Sequence, residues 1–306
     1  MSAAAVFSGD IYNSLKETLE EIVDDKTDGY ENSAIYKKWV SEKNMTDQWE
    51  EDLEMGGPGL AAERAEGSEI PTGTVREGYI KRYVARNFGL RLIISREAMK
   101  DRKYEEAIRF AGRLKRAMWK TVDIDVTNIL IRGHDSNYPG GDNVQLWSNA
   151  HTLPHGGTWS NIMATPMSPS RAAVIIATSQ IAKYPGHDGV TEGYSPTKVL
   201  CPTEQWAVWK GLVLSEKAPE NDHNEINVVK DLFGGYGDVV PNKYWNNTTT
   251  NWALKTDCPD GFNHRWREKP YSSTWVDNSN LLMNYSINAR WDNGWSDARC
   301  TYGVNA

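Results

Sequence analysis

Two histidines have the spacing of a metal-binding pair. His151 and His155 are four residues apart, which would place two imidazoles on one face of a helix. A proline lies between them and two glycines follow, and proline disfavours the helix that this spacing requires. The three cysteines are far apart and match neither a paired zinc spacing nor a disulfide framework. They are Cys201, Cys258 and Cys300. The sequence therefore predicts no metal site and three reduced cysteines.

Paired carboxylates are the second candidate for chemistry. Asp123 with Asp125, and Glu20 with Glu21, are close in sequence but lack the flanking residues that general acid and base catalysis requires. The common motifs for phosphate binding, dinucleotide binding, serine hydrolysis and zinc proteolysis do not occur. We therefore interpret these carboxylates as surface groups and predict no catalytic residue and no cofactor.

Tryptophan is unusually frequent, with 13 residues beside five phenylalanines, and this predicts large amphipathic contact surfaces. Trp206 with Trp209, and Trp245 with Trp252, are close enough in sequence to form stacking platforms for a sugar. The three-residue spacing of the first pair on a predicted helix also suits core packing or a subunit interface. A tryptophan-rich carbohydrate-binding protein or enzyme therefore stays open as an alternative to a structural protein.

Charge is segregated along the 306-residue chain, whose net charge is −7. Residues 1–70 carry 17 acids and six bases, whereas residues 71–132 carry seven acids and 15 bases. The overall balance disfavours tight non-specific binding to nucleic acid or to an anionic membrane. An acidic arm of one copy could instead lie across the basic segment of another, because opposite charges fix the register of an assembly. With no apolar run of membrane-spanning length and no basic leader, we expect a cytosolic protein.

The first third of the chain predicts extended elements. Apolar residues recur at helical spacing between residues 10 and 40 and predict a helical arm. Residues 56–71 are rich in glycine and glutamate and predict a long loop of the kind that docks on a partner. Residues 76–94 alternate imperfectly, with Ile80, Arg82, Val84 and Arg86 on one face of a strand. Because both faces are mixed, this strand is not expected in a core.

Helices are predicted in the middle of the chain. Ser95 is the expected N-cap of one long helix over residues 96–131, whose polar face is basic. Residues 169–184 predict a second helix, and residues 202–214 a third, capped by Thr203.

Strands are predicted around and after these helices. Residues 198–201 predict a short buried strand. Residues 238–245 and 252–256 flank a polar connection and predict one hairpin. Asn293-Gly294 predicts the tight turn of a terminal hairpin, since this dipeptide accepts positive φ angles.

The order of arm, loop, strand, long helix, α/β region and terminal strands resembles the Hong Kong 97-type major capsid protein of tailed bacteriophages. Residues 146–152, Leu-Trp-Ser-Asn-Ala-His-Thr, followed by two glycines and Asn161, are similar to a stretch after the spine helix of Mu-like major head subunits. Residues 198–204 are similar to the family's strand leading into an axial-domain helix, and residues 238–242 with 252–256 to its later strand pair. The similarity covers about residues 45–303.

This resemblance implies an α+β capsid fold of five parts. They are an N-terminal arm (residues 1–44), the E-loop region (45–94), the spine helix and peripheral domain (95–168), the axial domain (169–260), and return strands with a terminal hairpin (261–306). The covalent cross-link of some relatives is not expected, because the loop between Lys43 and Lys81 contains no lysine. The short arm implies a separate scaffold protein, or none.

The implied function is a non-enzymatic major capsid protein that self-assembles into hexamers and pentamers of an icosahedral shell around double-stranded DNA. Expected partners are other copies of the chain, a portal protein, a scaffold and a decoration protein, with weak contact to packaged DNA and none to a membrane. The expected location is the virion, after assembly in the host cytoplasm. An encapsulin-type nanocompartment shell, which has the same fold, stays open.

We expect the inter-subunit contacts to involve two groups of residues. One is the acidic cluster of the arm, and the other is the strand at residues 79–86 with two arginines beyond it. We predict that the arm of one copy docks on four arginines of a neighbour. The residues are Glu17, Glu20, Glu21, Asp24, Asp25, Tyr79, Lys81, Arg82, Arg86, Arg91 and Arg96.

Overall fold

The computed structural model describes residues 17, 21, 29–57, 59–73, 77–95, 104–154, 156–217, 226–233, 237–245, 251–259, 261–277 and 282–304. These ranges form an α+β structure. The strands are β1 (Ser41–Asn44), β2 (Trp49–Met55), β3 (Glu77–Val84), β4 (Arg86–Ile94), β5 (His151–Thr152), β6 (Thr158–Trp159), β7 (Pro196–Pro202), β8 (Asp238–Asn242), β9 (Trp252–Thr256), β10 (Phe262–Asp277), β11 (Leu282–Trp295) and β12 (Thr301–Val304). The α-helices are α1 (Tyr104–Ile131), α2 (Arg171–Ile181), α3 (Trp206–Leu214) and α4 (Val228–Leu232), and 3-10 helices lie at Ile35–Lys38, Thr203–Gln205 and Ala298–Cys300.

Two four-stranded sheets organise the described chain. The first has the order β1-β10-β11-β4, in which only β1 and β10 are parallel. The second has the order β12-β9-β7-β8, in which β7 and β8 are parallel. β2 pairs with β3, and β5 with β6, as separate antiparallel ribbons. Both sheets contribute buried side chains to one continuous hydrophobic core.

The long helix α1 packs against the first sheet, because each element places its apolar residues on one face. Its 28 residues extend about 42 Å at 1.5 Å per residue. Buried side chains recur every three or four residues along the helix and every second residue along β11. They are Ala111, Leu114, Met118, Val122, Val126 and Ile129 on α1, and Met283, Tyr285, Ile287, Ala289 and Trp291 on β11. The predicted helix end at Ile131 is confirmed, and its predicted start at residue 96 lies outside the described residues.

Most of the tryptophans belong to the core. Trp209 and Trp252 pack edge to face with their ring centroids 5.0 Å apart, and Trp147 stacks near Trp245 at 6.0 Å. All four are buried, whereas Trp206 is 40% exposed. The core interpretation of the tryptophan pairs is therefore confirmed for three of their four members, and neither pair forms a sugar platform.

Both predicted hairpins near the C-terminus are wrong. β8 and β9 do not pair with each other, because the buried strand β7 lies between them in the sheet. Asn293 and Gly294 lie inside β11, opposite His264 and Asn263 of β10. Gly294 has another use: an added Cβ would lie 3.2 Å from the Tyr83 ring, so the glycine admits that ring. Long-range pairing thus overrides the local turn preference of this dipeptide.

Two further local predictions need correction. Residues 76–94 do not form one strand, because the chain changes partners at Ala85: β3 pairs with β2, and β4 with β11. Tyr83, in the segment expected outside any core, is fully buried. Thr203 does not cap α3, because it lies in the 3-10 helix that precedes α3. Gln205 occupies the cap position, and its side chain makes no capping hydrogen bond. α2 begins at Arg171 with a Ser170 cap, whose hydroxyl accepts from the Ala173 N–H at 3.2 Å.

Candidate functional site

β2 and β3 form a two-stranded ribbon, here named the loop hairpin (residues 49–55 and 77–84). Because side chains alternate across a strand, the ribbon has two distinct faces. The outer face is exposed and mostly apolar, with Leu53 39%, Trp49 49% and Ile80 54% exposed. Its members are Trp49, Glu51, Leu53, Met55, Ile80, Arg82 and Val84. The predicted grouping on one face is confirmed for Ile80, Arg82 and Val84, but it is wrong for Arg86, which lies in β4 beyond the change of partners at Ala85.

Arg82 carries the outer face's positive charge but is paired within the hairpin. Its Nε and Nη2 donate to Glu51 Oε1 at 2.8 and 2.6 Å, across the two strands. Its guanidinium also lies 4.5 Å from the centre of the Trp49 ring. An exposed pair of this kind contributes little to stability, but it offsets the charge of an otherwise apolar surface.

The inner face of the loop hairpin is polar and is fastened to the first sheet. Arg265 on β10 donates to Glu50 at 2.7 Å and also to Asp52. The Ser296 hydroxyl donates to Asp52 at 2.7 Å and lies 2.9 Å from the Tyr83 hydroxyl. Burial alone would raise the pKa of Asp52, but the hydrogen bonds from Arg265 and Ser296 outweigh it and lower the pKa below its ordinary value. This network fixes the position of the ribbon.

A buried histidine and glutamate fasten the far end of the hairpin. His187 Nε2, in the loop after α2, lies 2.9 Å from Glu54 Oε2, and both side chains are more than nine-tenths buried. A Cβ at Gly78 would lie 2.4 Å from His187 Nε2, so glycine is needed for this close approach. Burial raises the pKa of Glu54, and the hydrogen bond from His187 offsets this only in part.

The raised pKa gives a testable pH dependence. Because the pKa of Glu54 is higher in the folded protein than in the unfolded chain, its stabilising contribution is complete at low pH and is lost as pH rises through the folded value. Glu54→Gln removes the ionisation but keeps an oxygen facing His187. The unfolding temperature of this variant relative to wild type should increase as pH rises from the ordinary glutamate pKa of about 4.3 through the raised pKa of the folded protein. If the exposed control Glu63→Gln shifts the profile equally, net charge is the cause and the assignment to Glu54 is wrong.

Tyr79 and Lys81, two predicted contact residues, also lie on the inner face. The Tyr79 hydroxyl is 2.7 Å from Thr152 Oγ1, and Lys81 Nζ donates to the Pro139 carbonyl at 3.1 Å. Burial lowers the pKa of the Lys81 ammonium, although Asp292 and Asp142 oppose this shift. Both side chains thus contact their own subunit.

Arg86 sets the junction between the hairpin and the long helix. Its guanidinium binds Asp125 of α1 with two hydrogen bonds of 3.2 and 2.7 Å, and its Nε binds Asp292 at 3.2 Å. Asp125 also accepts from Trp291 and Asn293. The interpretation of Asp125 as a surface group is therefore wrong: it is the acceptor that joins α1, β4 and β11.

Asp123 is likewise not a surface group. It is 6% exposed, and its carboxylate accepts from the Tyr36 N–H at 3.1 Å. Burial raises the pKa of Asp123. The two aspartates are thus separate structural acceptors rather than one acidic pair.

The remaining predicted contact residues fall into two groups. Arg91 lies on the exposed face of the first sheet, in a shallow groove of about 370 Å³ that Tyr271 and Trp275 also line. Glu17 and Glu21 are helical and exposed. The others lie outside the described residues: Glu20, Asp24, Asp25 and Arg96. Docking of the arm on a neighbour stays a prediction. Two of the arginines predicted to bind the arm, Arg82 and Arg86, already bind carboxylates of their own chain.

The segment around His151 forms a buried hydrogen-bond network, here named the His151 network. His151 Nδ1 lies 2.6 Å from Asp142 Oδ2, and its Nε2 lies 3.2 Å from both the Leu146 carbonyl and Asn161 Oδ1. The Asn161 amide donates to the carbonyls of Leu146 and Ala298 at 2.7 and 3.1 Å. The motif that resembles phage head subunits thus joins the loop after α1 to the 3-10 helix that precedes β12.

Sequence reasoning missed several fastening residues. Arg265 and His187 are 215 and 133 residues from the carboxylates that they bind, and no local pattern marks them or Asp142. One local pattern did indicate such contacts. Glu50, Asp52 and Glu54 are every second residue of β2 and so share one face, which predicts hydrogen-bond donors opposite that face.

Neither metal ligation nor membrane insertion is indicated in the part of the chain that the structure describes. No three histidine, cysteine, aspartate or glutamate side chains cluster there as a metal would require. No helix in those ranges is long and apolar enough to cross a membrane. All three cysteines are buried and none forms a disulfide.

Known structures share this architecture at low sequence identity. The capsid of cyanophage P-SCSP1u superposes with a TM-score of 0.59 at 9% identity, covering 90% of this chain and 88% of that one. A virus-like particle from Pyrococcus furiosus gives 0.57 at 10% identity, covering 94% and 98%. A phage-related protein from Bordetella bronchiseptica gives 0.54 at 15% identity, covering 94% and 95%. No protein-family model and no curated protein sequence matches the chain. The resemblance drawn from the sequence is confirmed for the architecture: the chain has the Hong Kong 97-type capsid fold.

Proposed function

We propose that the chain is a major capsid protein, a non-enzymatic subunit that assembles into an icosahedral shell around double-stranded DNA. The observation that carries this proposal is the exposed apolar outer face of the loop hairpin. A two-stranded ribbon is marginal alone in water, and this one presents its polar face to its own subunit and its apolar face to solvent. A neighbouring copy that covered the outer face would bury these side chains.

A second exposed apolar surface supports assembly of identical copies. The face of the first sheet opposite α1 carries Tyr271 and Trp275, 46% and 41% exposed, and Ile93 of the edge strand β4, 47% exposed. Two different apolar surfaces on one chain allow heterologous contacts, which close into rings when the rotation between copies permits. We propose that the loop hairpin of one copy covers this sheet face of the next, and that the rings are hexamers and pentamers.

The proposal assigns the parts of the chain as in other subunits of this fold. Residues 1–44 are the arm, 45–94 the E-loop region, 95–168 the spine and peripheral domain, 169–260 the axial domain, and 261–306 the return strands. Assembly takes place in the host cytoplasm, and the partners are a portal protein, a scaffold and a decoration protein. The extent of the structural similarity, about nine-tenths of the chain, supports this assignment.

Sedimentation velocity of the purified chain tests the proposal. We expect rings or closed particles far heavier than the 34.5 kDa subunit. A monomer at every concentration, with and without co-expressed phage scaffold, would contradict it. The ratio of absorbance at 260 and 280 nm of particles from the natural source then separates two shells: a phage head contains nucleic acid, and an encapsulin-type compartment does not.

A further inference from the structure

A row of exposed cations runs along one side of α1. Arg113, Arg116 and Lys120, here named the basic stripe, are spaced by three and four residues and so share one helix face. They rise by about 4.5 and about 6 Å along the axis. All three are exposed, whereas the opposite side of α1 packs into the core. The basic stripe is therefore exposed on the side of α1 that faces away from the core.

The basic stripe has no carboxylate partner within the described ranges, although other arginines of the chain do. Arg86, Arg265 and Arg299 each bind at least one carboxylate within 4 Å. Glu17 and Glu21, the two members of the predicted acidic cluster of the arm that the structure describes, are exposed. In a chain with net charge −7, three exposed cations that bind no carboxylate among the described residues favour binding of an anionic partner.

Aromatic rings support two of the three cations. The Arg113 guanidinium lies 5.5 Å from the centre of the Phe110 ring, and Arg116 lies 4.5 Å from that of Tyr30. Arg116 also donates to the Tyr30 hydroxyl. Such contacts hold a guanidinium in place without neutralising it, so its charge stays available to a ligand.

A glycine lies among these cations. Gly112 is one turn from Arg116, and an added Cβ there would meet no atom within 4 Å. Glycine inside a helix costs about 1 kcal/mol relative to alanine, and packing does not explain it at this position. Because Gly112 has no side chain, a partner can approach the helix backbone closely at this position.

We propose that the basic stripe binds backbone phosphates of double-stranded DNA. The inference rests on the proposed function, in which the shell encloses double-stranded DNA. Duplex DNA presents regularly spaced single charges, which suits a straight row of cations that reads no sequence. Three such contacts give weak, salt-sensitive binding, which permits a genome to be packed and released.

Fluorescence anisotropy of a labelled DNA duplex across a series of NaCl concentrations tests the inference with the full-length protein. Arg113→Gln, Arg116→Gln and Lys120→Gln are combined in one variant. The matched control combines Lys38→Gln, Lys210→Gln and Lys217→Gln, which remove the same charge from exposed positions elsewhere. We expect the stripe variant to lower the slope of log affinity against log salt by about 2 to 3, and the control to leave it nearly unchanged.

Two results would overturn the inference. In one, the stripe variant and the control have the same slope. In the other, the stripe variant binds DNA as wild type does but fails to assemble, and Glu17→Lys with Glu21→Lys fails in the same way; the partner is then the acidic arm of another copy. Sedimentation of the same samples distinguishes failure of the two proposals. Failure of the wild-type chain to assemble would contradict the shell function, whereas the salt dependence of DNA affinity tests only the basic stripe.

Discussion

Replacing Leu53 and Ile80 together by aspartate is expected to abolish assembly while leaving the subunit folded. These residues face each other across β2 and β3 on the exposed outer face of the loop hairpin, so neither contributes to the core of its own subunit. At a subunit contact, each substitution removes the burial of the roughly half of the side chain that is still exposed, about 1 kcal/mol, and adds a carboxylate whose desolvation costs more. Each contact should weaken by more than about 100-fold.

Sedimentation velocity measures the loss of assembly, and circular dichroism checks that the subunit is folded. The matched control is Leu53→Val with Ile80→Val, which keeps the surface apolar and should assemble as wild type does. Normal shells from the aspartate variant would show that the outer face is not a subunit contact.

The second large effect is expected at Asn161, whose replacement by alanine should lower the free energy of unfolding by about 3 kcal/mol or more. Asn161 is fully buried, accepts from the Ser148 N–H at 2.9 Å, and donates to two carbonyls. Alanine leaves these groups buried without partners. The loss is measured by thermal or urea unfolding of the unassembled subunit.

Asn87→Ala is the control for that experiment. Asn87 is exposed on β4, and its replacement should change the free energy of unfolding by less than about 0.5 kcal/mol. If Asn161→Ala unfolds with the midpoint of wild type, the His151 network does not hold the 3-10 helix before β12 to the loop after α1, and that assignment is wrong.

Periodicity predicted what short stretches of sequence control. The alternation of Ile80, Arg82 and Val84 placed them correctly on one face, and helical spacing placed the end of α1 correctly at Ile131. These features depend on neighbouring residues alone, so they are visible without knowledge of the fold.

Partners distant in sequence escaped prediction. Asp125 binds Trp291 and Asn293, which lie 166 and 168 residues away, and no local pattern indicates such contacts. The insertion of β7 between β8 and β9 likewise follows from sheet order rather than from the polar connection that suggested a hairpin. Asn293-Gly294 has the composition of a turn, yet pairing with β10 over most of the length of β11 holds it in a strand.

The contacts that hold the inner face of the loop hairpin show the same difference between local patterns and distant partners. The acids of β2 alternate on one face, which a period of two makes visible, but Arg265 near the start of β10 and Ser296 just after β11 are 215 and 244 residues from the Glu50 and Asp52 that they bind. The sequence thus indicates that this face of the hairpin is polar, and only the fold shows what binds it.

Negative-stain electron microscopy of the chain, expressed without a tag on its N-terminal arm, tests the central claim most directly. The proposed function predicts closed shells, tubes or ring-shaped capsomers, and predicts that the Leu53→Asp, Ile80→Asp variant forms none of them. Particles of single-subunit size from the wild-type chain at high concentration, in the presence of a scaffold, would contradict the claim that this protein builds a shell.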